Sequence, residues 1–234
     1  MSFKISRRPL GVVILFDKPL TFSTFGKIRT LEMSLRLILL IMSLLAINTI
    51  QAKDNILILG DSLSAGYGIK QEQSWVYLLQ QKLAQNYPHY QIHNESISGD
   101  TTANGLNRLP GGLQQYQPKL VIIELGANDG LRGLPLNYIK KNLQKIIQLC
   151  LQEQAKILLV GMRIPPNYGK KYTQAFAALY PQLSEQYQLA QIPFMLEGVA
   201  GNPKLIQSDG LHPNAEAQAL ILENIWKGLS PLLN

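Results

Sequence analysis

Leu120-Val121-Ile122-Ile123-Glu124-Leu125-Gly126 is apolar except for one acid, and it stops at glycine. Three consecutive β-branched side chains, Val121, Ile122 and Ile123, favour a strand over a helix, and Gly126 ends the run. A strand apolar on both of its faces over 120–123 has no solvent side, which points to a parallel sheet covered on both sides. Residues 56–59, closed by Gly60, and residues 157–160 carry the same signature. Further short strands are expected at 90–93 and 192–196. Between them, apolar residues recur at helical spacing. Trp75, Leu78, Leu79 and Leu83 share a face over 74–86, and Leu136, Ile139, Leu143, Ile146 and Ile147 do so over 136–152. Residues 172–187 also read as helix, kinked or split at Pro181, and residues 214–229 as a last amphipathic helix. Between His93 and Leu120 only a turn at Ser98-Gly99-Asp100 is assigned. Strands alternating with helices predict an α/β three-layer sandwich, α/β/α, on a parallel flavodoxin-like sheet of about five strands. In such sheets ligands bind beyond the carboxyl ends of the strands.

The chain has 234 residues and a formal charge of +7. Residues 1–52 hold seven basic side chains against two acidic ones, which leaves only +2 for the remainder. The basicity therefore belongs to the first segment and gives no reason to expect a nucleic-acid partner. Residues 33–52 read MSLRLILLIMSLLAINTIQA: a basic start at Arg36, an apolar run, and a small residue at Ala52. Those are the parts of a secretory signal peptide. The run is too short for a comfortable membrane span, so none is expected in the mature chain. The domain expectation is thus a leader over 1–52, with 1–32 a start-site extension ahead of Met33, followed by one domain over 53–234. The expected location is periplasmic or secreted. Cys150, the one cysteine, sits between Leu149 and Leu151 and reads as a small core residue rather than a nucleophile. The three histidines show no metal-ligand spacing, and no metal is expected.

Four short motifs carry polar chemistry, each at the end of an expected strand or before the last helix. Gly60-Asp61-Ser62-Leu63-Ser64 follows the first strand. A serine at a strand-to-helix turn is placed to attack a carbonyl, with backbone N–H groups and a helix start favouring the negative charge that develops. Alone, such a serine is more often a helix cap than a nucleophile. Asp209-Gly210-Leu211-His212-Pro213 precedes the last helix. Pro213 keeps His212 out of helical geometry, and a tight turn can fold Asp209 onto one imidazole nitrogen. Pro213 is expected at the first helical position. An ordinary imidazole titrates near ~6.5, so a histidine base predicts activity that falls in acid. Gly99 and Asn128 follow the second and third strands. Gly99 allows close backbone approach, and Asn128 offers a side-chain N–H. With the Ser62 N–H they would make a three-donor oxyanion hole.

The order of these pieces resembles the four blocks of the SGNH (GDSL-type) hydrolase superfamily. GDSLSAG (60–66), LGANDGLRG (125–133), MRIPPNYG (162–169) and DGLHP (209–213) are similar to the bacterial periplasmic thioesterase/lysophospholipase/arylesterase group. The likeness runs from about Asn55 to the C-terminus. One departure is Ala127, where that group would have glycine, and only a mild disturbance of the oxyanion loop is expected. The resemblance implies Ser62 as nucleophile, His212 as base and Asp209 as its orienting acid, with Gly99, Asn128 and the Ser62 backbone as the oxyanion hole. It also implies a mobile loop from Gly130 through Leu131 and Leu134 to Pro135 beside an acyl groove, which Ile164 and Pro165 line. The implied activity is two-step hydrolysis of acyl esters, thioesters or lysophospholipids without a cofactor, by a monomer. A carbohydrate O-acetyl esterase and a non-catalytic lipid-binding envelope protein are the alternatives.

Overall fold

The computed structural model describes residues 53–233, so the leader expected over 1–52 lies outside the described residues. The strands are β1 (Asp54–Gly60), β2 (Tyr90–Asn94), β3 (Leu120–Glu124), β4 (Lys156–Val160) and β5 (Ala190–Ile192). All neighbours pair in parallel, in the order β2-β1-β3-β4-β5. This is the flavodoxin-like order, and the three-layer architecture expected from the strand pattern is present. The chain reverses direction across the sheet between β1 and β3. There Leu57 lies beside Val121, Ile58 beside Ile122 and Gly60 beside Glu124.

The helices are α1 (Ser62–Ala65), α2 (Trp75–Asn86), α3 (Thr102–Tyr116), α4 (Ala127–Leu131), α5 (Leu136–Gln152), α6 (Lys170–Ala177), α7 (Leu179–Tyr187) and α8 (Gln218–Leu229). α2 packs with α8 over one face, and α3 packs with α5 over the other, where α7 also meets α5. The central strands are buried from both sides: Ile56, Leu57, Ile58, Val121, Ile122 and Ile123 are fully excluded from solvent. Each such side chain contributes roughly 1.5–3 kcal/mol relative to exposure. None of the helices in the described residues is long and apolar enough to cross a membrane.

Four sequence expectations need correction. First, residues 102–116 form a helix where only the preceding turn was expected. Its Thr101 cap and Asn104 form a capping box, and the helix persists through Gly105, Pro110, Gly111 and Gly112. Second, the 172–187 segment does split, but at Ala178 rather than at Pro181. Pro181 sits in the first turn of α7, where its missing N–H costs little. Third, the last strand runs over Ala190–Ile192, because Pro193 cannot extend the ladder. Fourth, the last helical segment is capped by Asn214, whose side chain accepts from the Glu216 and Ala217 N–H groups. Pro213 is not the first helical residue; it sits in an antiparallel bridge opposite Ile206.

Candidate active site

The site stands at the carboxyl edge of β1 and β3, where the strand order reverses. β1 ends at Gly60, and Asp61 turns the chain into α1. The Asp61 carboxylate accepts the Leu63 N–H at 3.0 Å and caps this short helix. The capping role open to Ser62 is therefore filled by its neighbour. α1 ends at Gly66 in the left-handed conformation, φ 75°. β3 ends at Glu124, and Gly126 follows with φ 114°. A side chain there would strike the Tyr180 hydroxyl, which donates to the Leu125 carbonyl. Asp129, fully buried, accepts from Thr102 N–H (2.8 Å) and Thr102 Oγ1 (2.6 Å). It thus fastens the loop carrying Asn128 to the start of α3. Ala127 begins α4 in ordinary helical backbone, so the extra methyl is accommodated.

His212 Nε2 lies 2.9 Å from Ser62 Oγ, and His212 Nδ1 lies 2.6 Å from Asp209 Oδ2. The other Asp209 oxygen accepts the backbone N–H groups of Leu211 (2.9 Å) and His212 (3.0 Å). Those two N–H bonds and the imidazole hold the Asp209 carboxyl at about 2, well below its ordinary value. An ionised Asp209 keeps the proton on Nδ1 and leaves Nε2 with a lone pair toward the serine. Gly210, φ 74°, makes the turn that allows this. Gln207 braces the loop: its Nε2 donates to the carbonyls of Tyr67 (2.8 Å) and Pro213 (2.9 Å). The Tyr67 ring sits 4.5 Å from the imidazole, centroid to centroid.

Gly99, φ 87°, and Ser62 both line the cavity in front of the serine, and neither backbone N–H has a hydrogen-bond partner among the described residues. Asn128 also lines it, but its side-chain nitrogen is engaged by Asp61 Oδ2 (3.1 Å) and the Asp100 carbonyl (3.0 Å). The cavity measures about 290 Å³. Of the groove residues expected from the sequence, Leu131, Ile164 and Pro165 line it, while Gly130, Leu134 and Pro135 do not. Gly130 is packed behind the wall: a side chain there would strike Ile164 and Phe176. Leu134 is partly buried against the core, with its carbonyl taken by Tyr172 Oη at 2.7 Å, and Pro135 precedes α5. Arg132, in the same loop, donates to the Gly99 carbonyl at 3.0 Å. Leu63, Tyr67, Met162, Arg163, Leu196 and Leu211 complete the wall and were not singled out from the sequence. Tyr67 and Leu211 sit within or beside the serine and histidine motifs, and that adjacency was the available signal. Cys150 is fully buried, and burial pushes its thiol up to about 12, in keeping with a core role.

A serine, an imidazole and a carboxylate in one hydrogen-bonded line, at the carboxyl edge of a parallel sheet, define the class of serine hydrolases. The sequence model of the GDSL-like lipase/acylhydrolase family matches residues 58–220. An arylesterase of Vibrio mimicus is 49% identical over 179 residues, covering 76% of this chain and 90% of that protein. The thioesterase 1/protease 1/lysophospholipase L1 of Escherichia coli K12 is 44% identical over 183 residues, 78% of this chain and 86% of that one. A crystal structure of TesA superposes with a TM-score of 0.75 at 47% identity, covering 77% of this chain and all of that chain. The chain belongs to the GDSL-like lipase/acylhydrolase family and is an ester-hydrolysing serine hydrolase.

Proposed function

We propose that Ser62 is the nucleophile, His212 the general base and Asp209 its orienting acid, acting on acyl esters, acyl-thioesters and lysophospholipids. The observation that carries this reading is the continuous line from Ser62 Oγ through His212 to Asp209, 2.9 and 2.6 Å, at the mouth of an apolar cavity. His212 takes the Ser62 proton as Oγ attacks the carbonyl carbon. The N–H groups of Ser62 and Gly99, both unspent, receive the oxyanion, and Asn128 joins them by exchanging one of its present bonds. His212 then protonates the leaving alcohol or thiol. Water, deprotonated by the same imidazole, releases the acid from Ser62.

Leu63, Leu131, Met162, Ile164 and Leu196 give the cavity a wall suited to an acyl chain rather than to a sugar. Apolar pockets separate neighbouring chain lengths only modestly, so the expected profile is broad. A series of p-nitrophenyl esters and acyl-thioesters from acetyl to palmitoyl tests it, with Ser62→Ala as control. A strict acetyl preference would favour a carbohydrate O-acetyl esterase, and parent-rate hydrolysis by Ser62→Ala would remove the nucleophile assignment. We also propose one catalytic domain over 53–234, acting as a monomer, preceded by a signal peptide near 33–52 that takes it to the periplasm or outside. Sequencing the N-terminus of the exported protein, and its mass in solution, test these points.

A further inference from the structure

Glu124 is the one acid in an otherwise apolar strand, and it is fully buried. Its Oε2 accepts from Ser64 Oγ at 2.6 Å and from the Asp61 backbone N–H at 3.2 Å. These two donors flank Ser62, one residue before it and two after. A methyl built on Gly60 would stand 2.8 Å from Glu124 Oε2 and 2.7 Å from Ser96 Oγ, so the absent side chain is what lets the carboxyl reach the underside of the turn. Its other oxygen, Oε1, has no hydrogen-bond partner among the described residues, and no cationic nitrogen there lies within ion-pair distance of it.

We propose that Glu124 is a positioning residue for ester hydrolysis: one carboxyl oxygen clamps residues 61 and 64 and so fixes the Ser62 N–H and Oγ against His212. The proposal rests on Ser62 being the nucleophile. An ionised carboxylate with an unpaired oxygen and no cation is costly in such a setting, and a neutral carboxylic acid costs far less. Burial first, and then the Asp61 charge, raise Glu124 well above the ordinary carboxylate range. Asp61 is raised by burial only to about 6, being helped by Leu63 N–H, His212 and Asn128, so it is the member that ionises. Asp100 faces the pair from the loop before α3, Arg108 reaches the Gly60 carbonyl from α3, His212 faces it from its loop and Tyr180 from α7. Glu124 therefore works as a neutral acid, with Oε2 as the carbonyl oxygen. A glutamine amide reproduces that oxygen and that shape, and a leucine reproduces only the shape.

The test compares the parent with Glu124→Gln, Glu124→Leu and Ser64→Ala in kcat, KM, pH profile and the rate of fluorophosphonate labelling. Glu124→Gln should keep kcat within about threefold and leave the acid limb in place. Glu124→Leu should lower kcat about 10²-fold with KM within about twofold, and slow labelling by the same factor. Ser64→Ala, which deletes one of the two clamped donors, should lower both about tenfold. The infrared difference between parent and Glu124→Gln should contain the C=O stretch of a protonated carboxyl. The proposal is overturned by a folded Glu124→Leu protein at parent kcat, or by a glutamine variant as impaired as the leucine one. A glutamine variant whose acid limb moves to lower pH would also sink it, since that reports loss of a negative charge beside His212. If the leucine variant does not fold, parent-like kcat and labelling in Ser64→Ala decide against it. Labelling at a residue other than Ser62 would fault the nucleophile assignment instead, while the infrared band still reports on Glu124.

Discussion

At the scale of single residues, the site divides into groups that are already free and groups that must let go of something. The Ser62 and Gly99 N–H groups are unspent, whereas Asn128 has both amide protons engaged. Asn128→Ala should therefore cost about 10²-fold in kcat, at the lower end of the range for an oxyanion donor, with KM little changed. Asp209→Asn should cost more, about 10³–10⁴-fold, because an amide lets the imidazole settle in the wrong tautomer. Steady-state kinetics on one p-nitrophenyl ester would check both. Asp209, held at about 2, stays ionised across any practical assay and does not set the acid limb. His212 loses its lone pair on protonation, and Asp61, at about 6, gains a proton in mildly acid solution and weakens its hold on Asn128. Two groups should make the acid limb of kcat/KM steeper than one proton allows, and Asp61→Asn should restore a single-proton slope.

At the scale of elements, α3 shows why sequence pattern missed it. Gly105, Pro110, Gly111 and Gly112 together look like turn chemistry, yet two of the glycines answer to packing. A side chain at Gly105 would strike Leu125 Cδ1, and one at Gly112 would press on Leu57 at 3.3 Å, so the helix can lie close to the sheet only without them. Gly111 is exposed, with open space where a side chain would go. Gly111→Ala should then stabilise the protein by roughly 0.5–1 kcal/mol through helix propensity alone. Gly105→Ala should destabilise it despite the same propensity gain, because Leu125 must move. Urea unfolding of the two variants beside the parent would show opposite signs. The helices with clean apolar stripes, such as α5, were legible residue by residue because nothing in them competes with the 3.6 period.

At the scale of the whole molecule, buried acids set an unusual pH dependence of stability. Asp61, Glu124 and Asp129 are all raised by burial, so the folded state binds more protons than the unfolded chain. The sign follows: stability is greater in mild acid and declines as pH rises from about 4 through about 6 for Asp61, a loss on the order of 3 kcal/mol from its shift. Asp209 acts in the opposite sense, losing its contribution as pH falls below 4 toward 2. Unfolding midpoints in urea should thus be higher at pH 5 than at pH 8, and Asp61→Asn should narrow the gap. The parallel sheet, its approximate strand count and the Ser62–His212–Asp209 line were legible because they rest on local runs and short motifs. The buried acids, most of the cavity wall and the true role of Asp61 as cap were not, since each depends on which distant segments meet at Gly60. The brace formed by Gln207 has a practical consequence for anyone rebuilding this enzyme. One amide ties the serine's side of the cleft to the histidine's, so the two halves should lose alignment together rather than one after the other. Transplanting the 209–213 segment into another scaffold without an equivalent tether should yield an inert graft, and heat inactivation of the parent should track the breaking of that cross-strut.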